Sequence, residues 1–143
     1  MTEPGVAAPE TAEVAVFRAR RRSVLDRIEQ AAQRSGRDPA SITLVAVSKT
    51  VPADRLRAAV AAGLAVLGEN RVQEGEAKRP LVPGAGWHLI GPLQANKARR
   101  AIAVYDTIQS VDSLDLAMRL GRLGREVLGM GERLPVLLQA NVD

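Results

Sequence analysis

Apolar and polar positions alternate along the chain in a pattern that predicts helices and strands in turn. An amphipathic segment at about 13–35, ending at Gly36, predicts a first helix. Further helices are predicted at about 53–62, 71–79, 93–104 and 114–128, where Pro80 stops the second of these and Pro92 opens the third. The last helix has Leu116, Leu120, Leu123 and Val127 along one stripe, with Ser113 placed to cap it. The apolar, β-branched runs between the helices predict strands at 42–49, 65–69, 87–91, 107–111 and 136–142.

This succession of five strands and four intervening helices is the βαβα pattern of a parallel sheet in an α/β fold. A complete (β/α)8 barrel needs about 250 residues, whereas this sequence has 143. Five strands cannot close such a barrel. The pattern therefore leaves two architectures open: a doubly wound open sheet, or part of a longer barrel.

Polar residues follow the predicted strands at their carboxyl ends. They are Ser48 and Lys49, Glu69 and Asn70, Ser110 and Asp112, and Asn141. Parallel α/β sheets and barrels bind their ligands beyond the carboxyl ends of the strands. The sequence therefore predicts a functional site along this edge of the sheet.

The segment "ITLVAVSKT" at 42–50 is the most unusual of these strand ends, because a buried strand finishes on Lys49. Lysine is among the least buried residue types, so an ordinary lysine reaching for solvent is one interpretation. A functional amine could instead attract a phosphate, act as a base, or attack an aldehyde to form a Schiff base. A partly desolvated amine would favour all three uses, and spacing alone does not separate them.

The residue composition makes a metal site or a nucleotide loop improbable. The chain has no cysteine and a single histidine, His88, so thiolate and histidine-rich metal sites are excluded. His88 lies inside a predicted strand between Trp87 and Leu89, which favours a structural role. The glycines at 63 and 68 lack the spacing of a dinucleotide or phosphate-binding loop.

The net charge of +4 raises the question of a nucleic-acid partner. The only dense basic run is "RARRR" at 18–22, which lies in the first helical pattern and is typical of a solvated helix face. With three aromatic residues in the chain, stacking on bases is poorly supported. We expect no nucleic-acid partner.

The N-terminal segment at 1–12 contains Pro4, Gly5 and Pro9 with little periodicity, which predicts a mobile leader before a domain at 13–143. It carries acidic residues where a secretory signal would be basic and then apolar. No apolar stretch approaches the ~18 residues of a spanning helix. We therefore expect a cytoplasmic protein without a membrane partner.

Several blocks of sequence occur in the order and spacing of a known family. They are "GRDPASITLVAVSKTVP" at 36–52, "LGENRVQE" at 67–74, "WHLIGPLQANK" at 87–97, "IQSVDS" at 108–113 and "VLLQANVD" at 136–143. With these blocks the chain resembles the pyridoxal-phosphate (PLP) homeostasis family, the YggS/PROSC-type proteins. The fold of that family is like the N-terminal barrel of alanine racemase. The resemblance implies the N-terminal part, about five βα units, of a truncated PLP-binding (β/α)8 barrel.

The resemblance also implies a cofactor and two site residues. The lysine of the "VSK" block carries PLP as a Schiff base in the family, and this position is Lys49. Asn70, in the "GEN" block, is implied to line the cofactor pocket, although a turn-forming asparagine is the simpler interpretation. The family's phosphate-binding loops come from the last strands of the barrel, which lie beyond Asp143.

The function implied is PLP binding in PLP homeostasis, without catalysis, with PLP-dependent apo-enzymes as candidate recipients. The alternative is a PLP-dependent racemase or decarboxylase that uses the same lysine. Racemisation needs acid or base groups on both faces of the substrate, and only Lys49 is well placed in the predicted elements. The third hypothesis, a basic nucleic-acid module, rests on residues 18–22 alone.

Overall fold

A five-stranded parallel sheet with helices packed on it organises the chain. The computed structural model describes residues 11–129, 131–140 and 142. Its α-helices are α1 (Ala12–Arg34), α2 (Ala53–Ala61), α3 (Val72–Lys78), α4 (Ala98–Val104) and α5 (Leu114–Val127). Its strands are β1 (Ala46–Val47), β2 (Val66–Glu69), β3 (Gly86–Leu89), β4 (Thr107–Val111) and β5 (Val136–Leu138). Short 3-10 turns lie at Pro39–Ser41, Arg79–Leu81 and Ala95–Lys97.

The strands follow one another across the sheet in the order β1-β2-β3-β4-β5, and every neighbouring pair is parallel. A doubly wound sheet reverses direction at a switch point, and this order contains no reversal among the described strands. Successive crossovers of one hand, added in one direction, place their helices on the same face. The predicted α/β class with a parallel sheet is confirmed, and the doubly wound alternative is wrong.

The helix-covered face of the sheet forms the core. Side chains alternate between the two faces of a strand, so Leu67, Trp87, Leu89 and Ile108 share this face. All four are essentially inaccessible to solvent and pack with buried residues of α2, α3, α4 and α5. Trp87 is therefore a core residue.

The opposite face carries a row in register across four strands: Val47, Gly68, His88 and Thr107. Val47 is 55% exposed, and His88 and Thr107 are half-buried. Gly68 is covered by the side chains of Val45 and Ile90, which occupy the space where a side chain would project. Within the described residues this face therefore has only thin apolar cover.

The two outer strands correct the sequence prediction. The first strand was predicted over 42–49 and buried on both faces, but only Ala46–Val47 pair as β1. The last was predicted over 136–142, but β5 spans Val136–Leu138, all exposed. Each outer strand pairs on one side only, so apolar residues suited to a covered strand remain open to solvent. Asn141 lies outside the described residues.

The helix ends follow local capping chemistry in most places. The side chain of Thr11 accepts a hydrogen bond from the Val14 N–H, so α1 begins at Ala12, inside the predicted leader. The rest of that leader, residues 1–10, lies outside the described residues. Gly36, with φ of 67°, follows α1 as predicted. Ser113 caps α5 through the Leu116 N–H, also as predicted.

The helix predicted at 93–104 begins later than expected. Residues 95–97 form a 3-10 turn, and the α-helix starts at Ala98. Pro80, by contrast, ends α3 as predicted, because the chain turns into a 3-10 segment at Arg79. The prediction that Pro92 opens the helix at 93–104 is wrong, because Pro92 lies before the 3-10 turn and outside the first turn of α4.

The basic run of α1 lies mainly in solvent. Arg18, Arg20 and Arg22 are exposed, whereas Arg21 is half-buried beside Gly63. The predicted solvated face is therefore confirmed for three of these four arginines. Within the described part of the chain, every helix is too short or too polar to cross a membrane.

Candidate functional site at the carboxyl edge of the sheet

The carboxyl ends of β1 to β4 bring several of the predicted polar residues close together. The Ser48 hydroxyl donates to Glu69 Oε1 at 2.7 Å, joining the ends of β1 and β2. The Ser110 hydroxyl donates to the Gly91 carbonyl at 2.6 Å, joining the ends of β4 and β3. Ser48, Glu69 and Ser110 are buried, so their hydrogen bonds hold neighbouring strand ends together in the interior of the protein. Asp112 is exposed and has no hydrogen bond to these residues.

Lys49 lies just after β1, between a buried and a strained residue. Ser48 is 1% exposed, and Thr50 adopts a φ of 64°, a region that β-branched residues rarely occupy. Lys49 itself is exposed, so the expectation of a partly desolvated amine is wrong for this structure. The reason is that β1 is an outer strand, with no neighbour on its other side among the strands that the structure describes. Lys49 forms no ion pair with the described residues.

Asn70 follows β2, and its backbone lies in close contact with the backbone of Gly91. A side chain at Gly91 would place its Cβ 2.3 Å from the Asn70 carbonyl oxygen and 2.7 Å from its Cα. Only glycine fits there, so Gly91 sets the distance between the loops after β2 and β3. An open cavity of about 570 Å³ lies beside these loops. Its lining includes Asn70, Arg71, Glu74, Pro92, Gln94 and Lys97.

A polar network contacts the residues on both sides of Lys49. We call it the buried polar network and define it as Ser48 and Glu69, which are buried, Glu74 and Lys78, which are half-buried, and the Thr50 N–H. Lys78 Nζ donates to Glu69 Oε1 at 2.8 Å, to the Ser48 carbonyl at 2.9 Å and to Glu74 Oε2 at 3.3 Å. The Thr50 N–H donates to Glu74 Oε2 at 3.3 Å. The second oxygen of Glu69, Oε2, is buried without a partner among the described residues.

The pKa values of the two carboxyl groups in this network are shifted in opposite directions. Burial raises the pKa of Glu69 above its ordinary value, although Lys78 and Ser48 oppose the shift. Burial would also raise the pKa of Glu74, but hydrogen bonds from the Thr50 N–H and within the network outweigh it and lower that pKa. A single ammonium group, that of Lys78, therefore bonds two carboxyl groups of unequal acidity.

His88 and Tyr105 are hydrogen-bonded to partners outside this network. The Gln109 amide nitrogen lies 2.8 Å from His88 Nδ1, and burial lowers the pKa of the imidazole despite the opposing charge of Asp106. The Tyr105 hydroxyl donates to the Arg71 carbonyl at 2.8 Å, and burial, helped by the charges of Glu69 and Glu74, raises the pKa of this phenol. The prediction of a structural, hydrogen-bonded His88 agrees with this geometry.

Sequence reasoning missed Glu74, Lys78 and the Thr50 backbone as parts of the edge. Glu74 and Lys78 are four residues apart on α3, and that spacing signals an ion pair on a helix surface. It carries no information about the strand ends that the pair contacts. The left-handed conformation of Thr50 has no signal in the sequence, because threonine rarely adopts it.

Curated proteins that share one name, pyridoxal phosphate homeostasis protein, align with most of this chain. A pyridoxal phosphate homeostasis protein from Pseudomonas aeruginosa is 45% identical over 122 residues, covering 84% of this chain and 52% of that protein. One from Escherichia coli K12 is 44% identical over 125 residues, with the same two coverages. The chain is a relative of the pyridoxal phosphate homeostasis proteins. The resemblance predicted from the sequence blocks is confirmed.

Solved structures of similar proteins agree with the kinship to the pyridoxal phosphate homeostasis proteins. PipY of Synechococcus elongatus, solved with PLP bound, is 48% identical with a TM-score of 0.59, covering 69% of this chain and 48% of PipY. A protein of unknown function from Bifidobacterium adolescentis is 30% identical with a TM-score of 0.67, covering 94% of this chain and 63% of that one. No protein-family model matches the chain. The chain spans about half the length of the curated relatives it matches.

Proposed function

We propose that this chain binds PLP and takes part in PLP homeostasis, holding or delivering the cofactor rather than turning over a substrate. The observation that carries the proposal is the exposed amine of Lys49 at the carboxyl edge of a parallel sheet. The names of the curated relatives and the PLP bound to PipY support it. The apo-forms of PLP-dependent enzymes are the proposed recipients.

The lysines differ in their suitability for covalent attachment of PLP. Lys78 has a side chain only 14% exposed and bonds two carboxylates, so its amine is committed to the buried polar network. Lys97 is half-buried beside the cavity, whereas Lys49 is exposed and unpaired among the described residues. Deprotonated Lys49 Nζ would attack the PLP aldehyde carbon, a C=N bond would form, and the aldehyde oxygen would leave as water.

The cavity beside the loops after β2 and β3 offers basic groups to a cofactor that carries a phosphate. The cavity includes the basic side chains of Arg71 and Lys97, which would attract an anionic group. Asn70 lines the same cavity, at a position held by Gly91, and we propose that it contacts the cofactor beside the ring. PLP, when bound, supplies an aldehyde and an electron-accepting ring, while the chain supplies the amine and the surrounding cavity.

We further propose that the sheet is the N-terminal part of a (β/α)8 barrel. The strand order is sequential, both outer strands are unpaired on one side, and the face opposite the helices is thinly covered. Closing the sheet would pair β1 and β5 with further strands and cover Val47 and Leu138. In that arrangement the phosphate-binding loops come from the later strands, as the family resemblance implies.

Joining this chain to the C-terminal half of the Pseudomonas aeruginosa relative tests the barrel proposal. We expect the fusion to bind PLP about tenfold more tightly or better than the chain alone, because added loops supply charge-assisted hydrogen bonds to the phosphate. Equilibrium dialysis and thermal melting, with and without PLP, measure the effect. A fusion to an unrelated soluble domain is the control. A monomeric, cooperatively melting 143-residue chain that PLP stabilises as strongly as the fusion would contradict the barrel proposal.

Incubation with amino acids separates a carrier from a racemase or decarboxylase. We expect amino acids to remove PLP from the protein at most, with no change in their chirality and no release of carbon dioxide. Chiral chromatography and carbon dioxide detection over many equivalents of substrate measure this, with Lys49→Ala as the control. Sustained turnover that disappears in Lys49→Ala would instead support the enzyme hypothesis.

A further inference from the structure

The residues on either side of Lys49 are anchored to three side chains that are bonded to one another. Ser48 donates its hydroxyl to Glu69 and accepts a hydrogen bond from Lys78 at its carbonyl. Thr50 donates its backbone N–H to Glu74. Because Lys78 also bonds both carboxylates, the two anchors form one connected unit. The backbone of Lys49 is thereby held from both directions.

The backbone conformation at Thr50 shows that this attachment has a conformational effect. Among the described non-glycine residues, Thr50 is the one with a positive φ, 64°. β-branched residues avoid this region, so a surrounding structure has to stabilise it. Two contacts stabilise it here: the hydrogen bond from the Thr50 N–H to Glu74 and the turn bond from the Val51 N–H to the Ser48 carbonyl at 3.1 Å. Without the Glu74 bond, the turn bond alone restrains Thr50, so the backbone at residues 49 and 50 samples more conformations.

We propose that Glu69, Lys78 and Glu74 are positioning residues that hold the Lys49 amine in the direction needed for PLP attachment. The proposal rests on the proposed function of Lys49. We call residues 48–50 the Lys49 loop. Glu69 is fully buried at the end of β2 and accepts a hydrogen bond from Ser48, while Lys78 and Glu74 contact the backbone of this loop from α3. An exposed lysine has many side-chain conformers, so a fixed backbone is what narrows its reach. Glu74 also lines the proposed cofactor cavity, but in this role all three residues act through the backbone of residues 48–50.

Glu74 is the best residue for a test, because it is half-buried and its replacement leaves the Glu69–Lys78 pair intact. Glu74→Ala should remove the anchor of Thr50, whereas Glu74→Gln keeps an oxygen that accepts the hydrogen bond. Glu76→Ala is the matched control on the same helix, because Glu76 pairs with Arg100 and has no bond to the Lys49 loop.

Two measurements on the full chain follow. Amide hydrogen exchange at Thr50, without PLP, should accelerate about tenfold in Glu74→Ala. Titration with PLP, followed by borohydride reduction and peptide mass spectrometry, should show about fivefold weaker labelling of Lys49. Glu74→Gln should recover most of both values, and Glu76→Ala should leave both unchanged.

The outcomes separate this inference from the proposed function. Unchanged Thr50 exchange in Glu74→Ala overturns the positioning role, whatever happens to PLP. Faster exchange with undiminished labelling of Lys49 also overturns it, because the anchor would then be structural only. If the unsubstituted chain is not labelled at Lys49, the proposed function fails, and the positioning role for PLP attachment fails with it.

Discussion

Replacing Lys49 with alanine is expected to abolish the covalent attachment of PLP to this chain. The unsubstituted protein mixed with PLP should acquire a visible absorption band, and borohydride should fix the cofactor to Lys49. The physical reason is that Lys49 offers an exposed amine, whereas the Lys78 amine is committed to two carboxylates. Absorption spectroscopy and peptide mass spectrometry measure the loss.

The comparison variant for this experiment is Lys97→Ala, which removes the lysine that lines the cavity. The label should stay on Lys49, although the loss of a basic group from the cavity is expected to weaken PLP binding. Stability should change by less than about 0.5 kcal/mol in Lys49→Ala, because the side chain is exposed and makes no ion pair with the described residues. A label found mainly on Lys78 or Lys97, or spread equally over the three lysines, would refute the assignment.

Gly91→Ala is expected to be the most destabilising single-methyl addition at the carboxyl edge. The new Cβ would lie 2.3 Å from the Asn70 carbonyl oxygen and 2.9 Å from its carbonyl carbon, and backbone cannot rotate away as a flexible side chain does. We expect a loss of about 3 kcal/mol in the free energy of unfolding. That loss corresponds to a fall of about 10 °C in melting temperature for a chain of this size.

Gly121→Ala is the matched control, because an added Cβ there meets nothing within 4 Å and lies within α5. Alanine favours a helix over glycine, so this variant should be stabilised by about 0.5–1 kcal/mol. Urea unfolding and thermal melting of the two variants give the comparison. Equal stability of Gly91→Ala and the unsubstituted protein would show that the loops after β2 and β3 lie farther apart than described here.

The Gly91 prediction also bears on the site, because the same glycine joins two strand ends. Its carbonyl accepts a hydrogen bond from Ser110, and its backbone packs against Asn70. A shift at Gly91 would therefore displace Asn70, which we propose as a cofactor contact. Any loss of PLP binding in Gly91→Ala should be accompanied by loss of stability, whereas Lys49→Ala should lose the first without the second.

The sequence was sufficient where the structure depends on local pattern. The buried stripe Leu116, Leu120 and Leu123, with Ser113 as its cap, predicted α5 because helical period and capping are properties of neighbouring residues. The alternation of helices and strands predicted a parallel sheet for the same reason. The sequence blocks around Lys49 and Asn70 led to the PLP homeostasis proteins, although the roles of these two residues remain predictions.

The sequence by itself thus determined the element types, the parallel sheet and the kinship. Only the tertiary structure decided the sequential strand order, the exposure of β1 and β5, and the buried polar network beneath Lys49. An apolar run predicts a strand that can be buried. Whether it is buried depends on residues that lie far away in the sequence and pack against it. Likewise, Lys78 and Ser48 are 30 residues apart, and only the packing of α3 against the sheet edge brings the amine to that carbonyl.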